Sequence, residues 1–173
     1  MAISQAMCTS FKAEILLCVH DFRSTGGDTF KLAMYTSSAS IDANTTAYSS
    51  SNEVSSANYT AGGGALANLG VTATNTNATA GTGWVDFTDL TFTNVTLTAR
   101  GALIYNTTPS ANGTANTTLT NAAVAVLDFG ADKTASFSPL GGPPWVFWIW
   151  CRSLGLFFLQ RTKRMVMPCV VGG

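Results

Sequence analysis

His20 is the only histidine in the chain, so acid–base chemistry near neutral pH has a single candidate. A general base needs a partner that orients or activates it, and no GxSxG, HExxH or Walker A motif supplies one. His20 is therefore read as a helix-end residue, a cation near a helix C-terminus or a polar surface group. Gly62-Gly63-Gly64 lacks the strand–glycine–helix frame and the following lysine of a phosphate loop, and reads as a turning break. Asp86 and Asp89, with Glu53, Asp128 and Asp132, are the carboxylates from which a calcium site would be drawn. No DxDxDG spacing orders them, so neither calcium nor any other metal or cofactor is expected. Cys8, Cys18, Cys151 and Cys169 form no CxxC pair and no zinc spacing. They are read as buried free thiols, which points to a reducing compartment. Arg100 and Asp128 are a candidate structural pair across a sheet. Trp84 and Phe87 lie at strand spacing and read as core or interface. The chain carries no catalytic constellation and is expected not to be an enzyme.

The charges are few and unevenly placed. Charged residues make up 10% of the 173-residue chain, against roughly 25% in an average soluble domain. Threonine, alanine, asparagine, serine and glycine take their place, so the surface is built from hydroxyls and amides. Such a surface suits a subunit packed against copies of itself or a scaffold better than a free monomer that relies on charge for solubility. Before Pro139 five cations face nine carboxylates; from Pro139 onward Arg152, Arg161, Lys163 and Arg164 face none. The formal net charge of zero is thus a cancellation, and no global field steers nucleic acid. No apolar leader is visible at the N-terminus, where Lys12, Glu14, His20 and Asp21 interrupt the run. The N-x-[ST] sequons, at Asn44, Asn58, Asn77, Asn94, Asn106, Asn112 and Asn116, read as a by-product of Asn/Thr-rich loops and not as glycosylation sites.

The elements that would position these residues follow from periodicity. Ile3, Met7, Phe11, Ile15, Cys18 and Val19 recur at helical steps and predict an amphipathic helix over 3–19, ended by the run 23–28 with its two glycines, Gly26 and Gly27, as helix exits prefer. Phe30, Leu32 and Met34 alternate with Lys31, Ala33 and Tyr35 and predict a half-buried strand over 29–36. Residues 37–64 are polar and turn-rich, with room for one helical turn at 42–48. A weak strand is expected at 65–72, a loop at 73–83, and a short strand opened by Trp84, Val85 and Phe87. Leu90, Phe92, Val95 and Leu97 break alternation once, as a turn or β-bulge would. Residues 101–105 and 122–129 are the most apolar strands, joined by a long Asn/Thr/Gly hairpin tip over 106–121. The whole predicts a mainly β chain, an antiparallel sandwich of jelly-roll or Ig-like type, with one N-terminal α-helix.

Residues 1–138 resemble a group of small structural proteins encoded among the virion genes of tailed bacteriophages. The resemblance rests on Phe11-Lys12-Ala13-Glu14-Ile15-Leu16-Leu17, on Val19-His20-Asp21-Phe22, and on the run from Gly27 to Ser38. It rests further on Thr45-Thr46-Ala47-Tyr48. Its most specific part is the pair Ala99-Arg100-Gly101-Ala102-Leu103-Ile104-Tyr105-Asn106 and Ala123-Val124-Ala125-Val126-Leu127-Asp128-Phe129-Gly130. The resemblance implies a β-sandwich virion component made in the host bacterial cytoplasm. Its expected role is head-associated, of the capsid decoration or cement type, acting by self-assembly and contacts with other capsid or tail proteins. A homo-oligomer, such as a trimer, is the implied state. The alternatives are a tail or baseplate role, a host-surface carbohydrate-binding module, and a membrane-associated protein.

The family pattern is left after Asp132-Lys133-Thr134, where a final alternating strand would follow. Leu140-Gly141-Gly142-Pro143-Pro144 and a Trp/Arg-rich run stand there instead. The sequence divides into a helix-plus-sandwich domain at 1–138 and an aromatic, basic tail at 139–173, irregular or helical and outside the core. Three origins compete for the tail. One is a frameshift. Another is a membrane segment over 145–159, short of the ~20 residues a spanning helix needs and interrupted by Arg152. The third is an interaction arm that docks Trp145, Trp148 and Trp150 on a neighbour or a membrane surface.

Overall fold

A computed structural model of the chain describes residues 2–74, 82–111, 114–116 and 118–136. The expectations for the tail, including Trp145, Trp148 and Trp150, and for most of the 73–83 loop lie outside those residues. The described elements are β1 (Ala6–Met7), α1 (Thr9–Leu16), β2 (Phe30–Tyr35), β3 (Gly64–Leu66), β4 (Asn68–Thr74), β5 (Thr82–Phe87), β6 (Leu97–Asn106), β7 (Ser110–Ala111), β8 (Thr114–Ala115) and β9 (Ala122–Ala135). The chain is mainly β, its strand pairs are antiparallel, and the described residues hold one short helix. Five strands form the main sheet in the order β1-β9-β6-β2-β3, while β4-β5 and β7-β8 are separate two-stranded ribbons.

The sheet is centred on its three most apolar strands. Leu32 pairs with Ile104 and Ala33 with Leu103, and Leu103 pairs in turn with Val126. Alternation sends Leu32 and Ile104 to one face and Ala33 and Leu103 to the other. All four are buried, so the strand expected to be half-buried is covered on both faces. One face carries a chain of aromatic contacts: Phe11 against Phe22, Phe22 stacked on Phe30 at 4.6 Å, and Phe30 against Phe87. Lys31 and Tyr105 pair on the opposite face, where Tyr105 stacks on Tyr48 from the 36–63 connection at 4.7 Å. The polar connection is therefore a packed layer, held by tyrosines and not by aliphatic periodicity.

The N-terminal helix is shorter than its apolar spacing predicts. Residues 6–7 pair with β9, so Met7 belongs to a strand. Cys8 is the N-cap and gives no side-chain cap bond. At the other end the Cys18 N–H donates to Ile15 and the Val19 N–H to Glu14. With Cys18 at φ 57°, that is a Schellman exit. It normally takes glycine, because a side chain in the left-handed region costs about 1 kcal/mol. Gly26 and Gly27 play no part in the exit. Phe11 is the helix's buried residue, whereas Leu16 and Leu17 are 84% and 70% exposed. Of the residues at helical spacing Ile3, Phe11 and Val19 are buried and Ile15 and Cys18 exposed, so the spacing misleads about the extent of the helix and not about burial as a whole. The helical turn expected at 42–48 is likewise absent; a Thr45 N–H to Asp42 carbonyl turn stands there, with the Thr45 hydroxyl and the Asp42 carboxylate bonding local backbone N–H groups.

Strand β9 carries the irregularity that places Arg100. Ala99 pairs with Lys133 and Gly101 with Asp128, so residues 129–132 bulge opposite Arg100 alone. Gly130 sits in the bulge at φ +71°. Its N–H donates to Asp128 Oδ1 at 2.9 Å, the same oxygen that accepts Arg100 Nε at 3.1 Å.

Candidate functional site

Among the described residues two clusters of bonded polar side chains stand out, one around Glu53 and one around His20. The first cluster surrounds Glu53. Its Oε1 accepts the Tyr59 hydroxyl at 2.7 Å and the Gly62 N–H at 2.8 Å, and its Oε2 accepts the Tyr48 hydroxyl at 2.6 Å. The Tyr59 oxygen also accepts the Met34 N–H, which ties the cluster to β2. Tyr105 donates to the Gly62 carbonyl at 2.7 Å, and Tyr35 donates to the Ser49 carbonyl. These are the four tyrosines of the chain, drawn to one carboxylate from positions 35, 48, 59 and 105. Burial and the Glu53 charge push all four phenols up from their ordinary value. The glycine run is explained by the same cluster. A Cβ on Gly63, at φ +71°, would lie 1.7 Å from the Leu32 carbonyl oxygen, so the backbone approaches β2 closely enough to admit only glycine.

The second cluster runs from α1 to the 107–111 arm. His20 Nε2 lies 2.8 Å from Glu14 Oε2, and His20 Nδ1 lies 2.9 Å from Asn106 Nδ2. Asn106 Nδ2 also donates to Asp28 Oδ2 at 2.7 Å. Asp28 further accepts the Ser110 hydroxyl at 2.6 Å and the Asp21 N–H at 2.9 Å. The His20 side chain has no exposed surface, and Phe11 packs edge-on to its ring at 4.8 Å. This corrects the sequence reading of His20 as a helix-end cation or surface residue: it is buried beyond the helix, with both ring nitrogens engaged. Neither nitrogen is presented to solvent to move a substrate proton. Asn106 is fully buried, so its sequon is inaccessible.

Among the described residues no group of three or more His, Cys, Asp or Glu is placed to hold a metal ion. Glu53 lies in its tyrosine cluster, while Asp128 takes part in the β9 bulge and Asp132 is exposed beside it. Asp86 bonds its neighbour's backbone N–H. The expected buried thiols divide: Cys8 is buried and Cys18 exposed. Burial, with Asp42 and Glu14 nearby, pushes the Cys8 thiol up to about 12, so Cys8 is not a nucleophile at neutral pH. An open depression of about 350 Å³ is lined by Cys18, His20, Asp21 and Arg23. Arg23 there is spent on Asp21, its guanidinium and backbone N–H both bonding that carboxylate.

Among the described residues five large hydrophobic side chains stand exposed on an otherwise polar surface. Ile15, Leu16 and Leu17 on the helix end, and Leu69 and Val71 on the β4-β5 ribbon, are the exposed large hydrophobics of the described structure. All five are aliphatic. No helix among the described residues is long and apolar enough to cross a membrane. No protein-family model, curated protein or solved structure matches the chain.

Proposed function

We propose that the chain is a structural component of a tailed-phage virion, head-associated in the manner of a decoration or cement protein, and that it works by contact with copies of itself and with other particle proteins. The observation that carries the reading is the helix end, where Leu16 and Leu17 are 84% and 70% exposed. An exposed leucine forgoes about 1.5–3 kcal/mol of burial, and contact with another subunit recovers it. The low charge of the chain and the phage-like strand pair at 99–106 and 123–130 support the same reading. The carbohydrate-binding alternative is less well supported, because aromatic rings are the usual stacking surface and the exposed large hydrophobics among the described residues are aliphatic.

The test is mass spectrometry of purified particles of the phage that encodes the chain. Peptides from 1–136 should be present in many copies per particle and lost from heads when the gene is deleted. Particles that lack those peptides would overturn the proposal, and peptides confined to isolated tails would move it to the tail or baseplate.

A further inference from the structure

The hydrogen-bond pattern fixes where the protons lie in the second cluster. The Asn106 carbonyl oxygen accepts the Thr108 N–H at 3.0 Å, so its amide nitrogen must face the other way. That nitrogen carries two hydrogens. One is donated to Asp28 Oδ2 at 2.7 Å, which leaves the other for His20 Nδ1 at 2.9 Å. Nδ1 is therefore a bare acceptor, and the ring proton sits on Nε2, donated to Glu14. His20 is held as the neutral Nε2–H tautomer by groups up to 86 residues away in sequence.

We propose that His20 is a proton-operated latch, which holds the Asn106 side chain and, through it, the Thr108 N–H in place while it is neutral and frees both when Nδ1 gains a proton. A proton on Nδ1 would point at the Asn106 amide, which has only donors on that side. Turning the amide over does not repair the clash. It would set the carbonyl oxygen against Asp28 Oδ2, at the present 2.7 Å spacing, and the amide hydrogens against the Thr108 N–H. Asn106 must leave its position, and Thr108 loses its acceptor.

The charged groups nearest the ring are the carboxylates of Glu14 from α1 and Asp28 from the connecting segment. Asp21 bonds Asp28 through its backbone N–H, and Arg23 is neutralised by Asp21. Phe11 and Phe22 flank the ring without charge, and Asn106 and Ser110 on the far side are neutral. The neutral amide is the group that yields. The arm keeps its bonds to the Thr29 backbone through Thr107 and Thr108, so the release is local, and the sheet behind it stays closed.

The experiment is NMR on the full chain, with long-range nitrogen–proton correlation of the His20 ring and amide exchange at Thr108, followed as pH is lowered. At neutral pH the ring should show the Nε2–H tautomer. As the ring takes its second proton, Thr108 exchange, corrected for the intrinsic pH effect, should rise about tenfold, the loss expected for one hydrogen bond. Leu103 and Val126 should not change. His20→Gln offers a neutral acceptor to Asn106 and a donor to Glu14, and should keep Thr108 protected at every pH that leaves the chain folded. An Nδ1–H tautomer, an unchanged Thr108 when the ring is doubly protonated, or an acid response that persists in the His20→Gln chain would each overturn the latch. If that variant does not fold, the tautomer and the coincidence of the two titrations in the native chain still decide.

Discussion

The Glu53 and His20 clusters both place a carboxylate among hydrogen-bond donors, yet they differ in what a proton can do to them. Around Glu53 the nearest neighbours are phenols and a backbone N–H, groups that hold their protons below the alkaline range. Around Asp28 the chain of bonds passes through Asn106 to an imidazole with one bare nitrogen. One cluster is a clamp that fastens the 36–63 connection to the sheet through phenols. The other, on the proposal above, holds the Asn106 side chain and the Thr108 N–H only while that nitrogen stays bare. The lesson is that burial of a carboxylate does not define a switch; the donor opposite it does.

The strongest way to break this contrast is to remove the clamp. Glu53→Ala leaves the Tyr59 hydroxyl, the Tyr48 hydroxyl and the Gly62 N–H without their acceptor. At about 1–3 kcal/mol for each buried group left unpaired, urea unfolding should show a loss of about 3 kcal/mol or more. Asn106→Ala strikes the other cluster and should cost about 2 kcal/mol at neutral pH by the same measurement, because Asp28 keeps Ser110 and the Asp21 N–H. Its defining mark is that acid no longer increases exchange of the Thr108 N–H, which has already lost its acceptor.

The tyrosines test the clamp from the alkaline side. Their folded values are raised, so the neutral phenols favour the folded chain. That stability is fully present below the ordinary value of 10.0, and it is lost as pH climbs from there toward the folded values. Absorbance at the phenolate band should lag a free-tyrosine titration and then rise in one step with the loss of near-ultraviolet circular dichroism. Four independent titrations near the ordinary value would contradict the cluster. A smaller effect, of opposite sign, is expected away from both clusters. Cys18→Gly relieves a left-handed side chain at the Schellman position and should stabilise the chain by about 1 kcal/mol, read as an upward shift of the urea midpoint.

The legibility of the fold tracks the source of each element's stability. Strand β2 carries apolar alternation and β6 and β9 contain the most apolar runs, so all three were readable, although β6 begins before residue 101 and β9 runs on past residue 129. The helix was overextended because Ile15, Cys18 and Val19 keep helical spacing although the chain leaves the helix at Leu17. Nothing local marks a Schellman turn built on cysteine. The Glu53 cluster was hidden because Tyr35, Tyr48 and Tyr59 lie at no regular period, and Tyr105 comes from another strand. The one available signal was four tyrosines in a chain so poor in charge. His20 was singled out for its uniqueness, but its partners Asn106 and Ser110 are distant in sequence, and only the β2–β6 pairing of Phe30 with Asn106 brings them near it. Arg100 and Asp128 were legible together because each stands in an apolar strand whose partner is apparent.

On the proposed function, the exposed aliphatic end of α1 is the surface through which the chain meets its copies. Sedimentation velocity across the micromolar range, comparing the native chain with a Leu16→Asp, Leu17→Asp variant, tests this most directly. The account predicts a native species at a multiple of the 18.1 kDa chain mass and a variant that sediments as a monomer with an unchanged circular dichroism spectrum. A native chain that remains monomeric throughout, or a variant that associates as the native chain does, would contradict it.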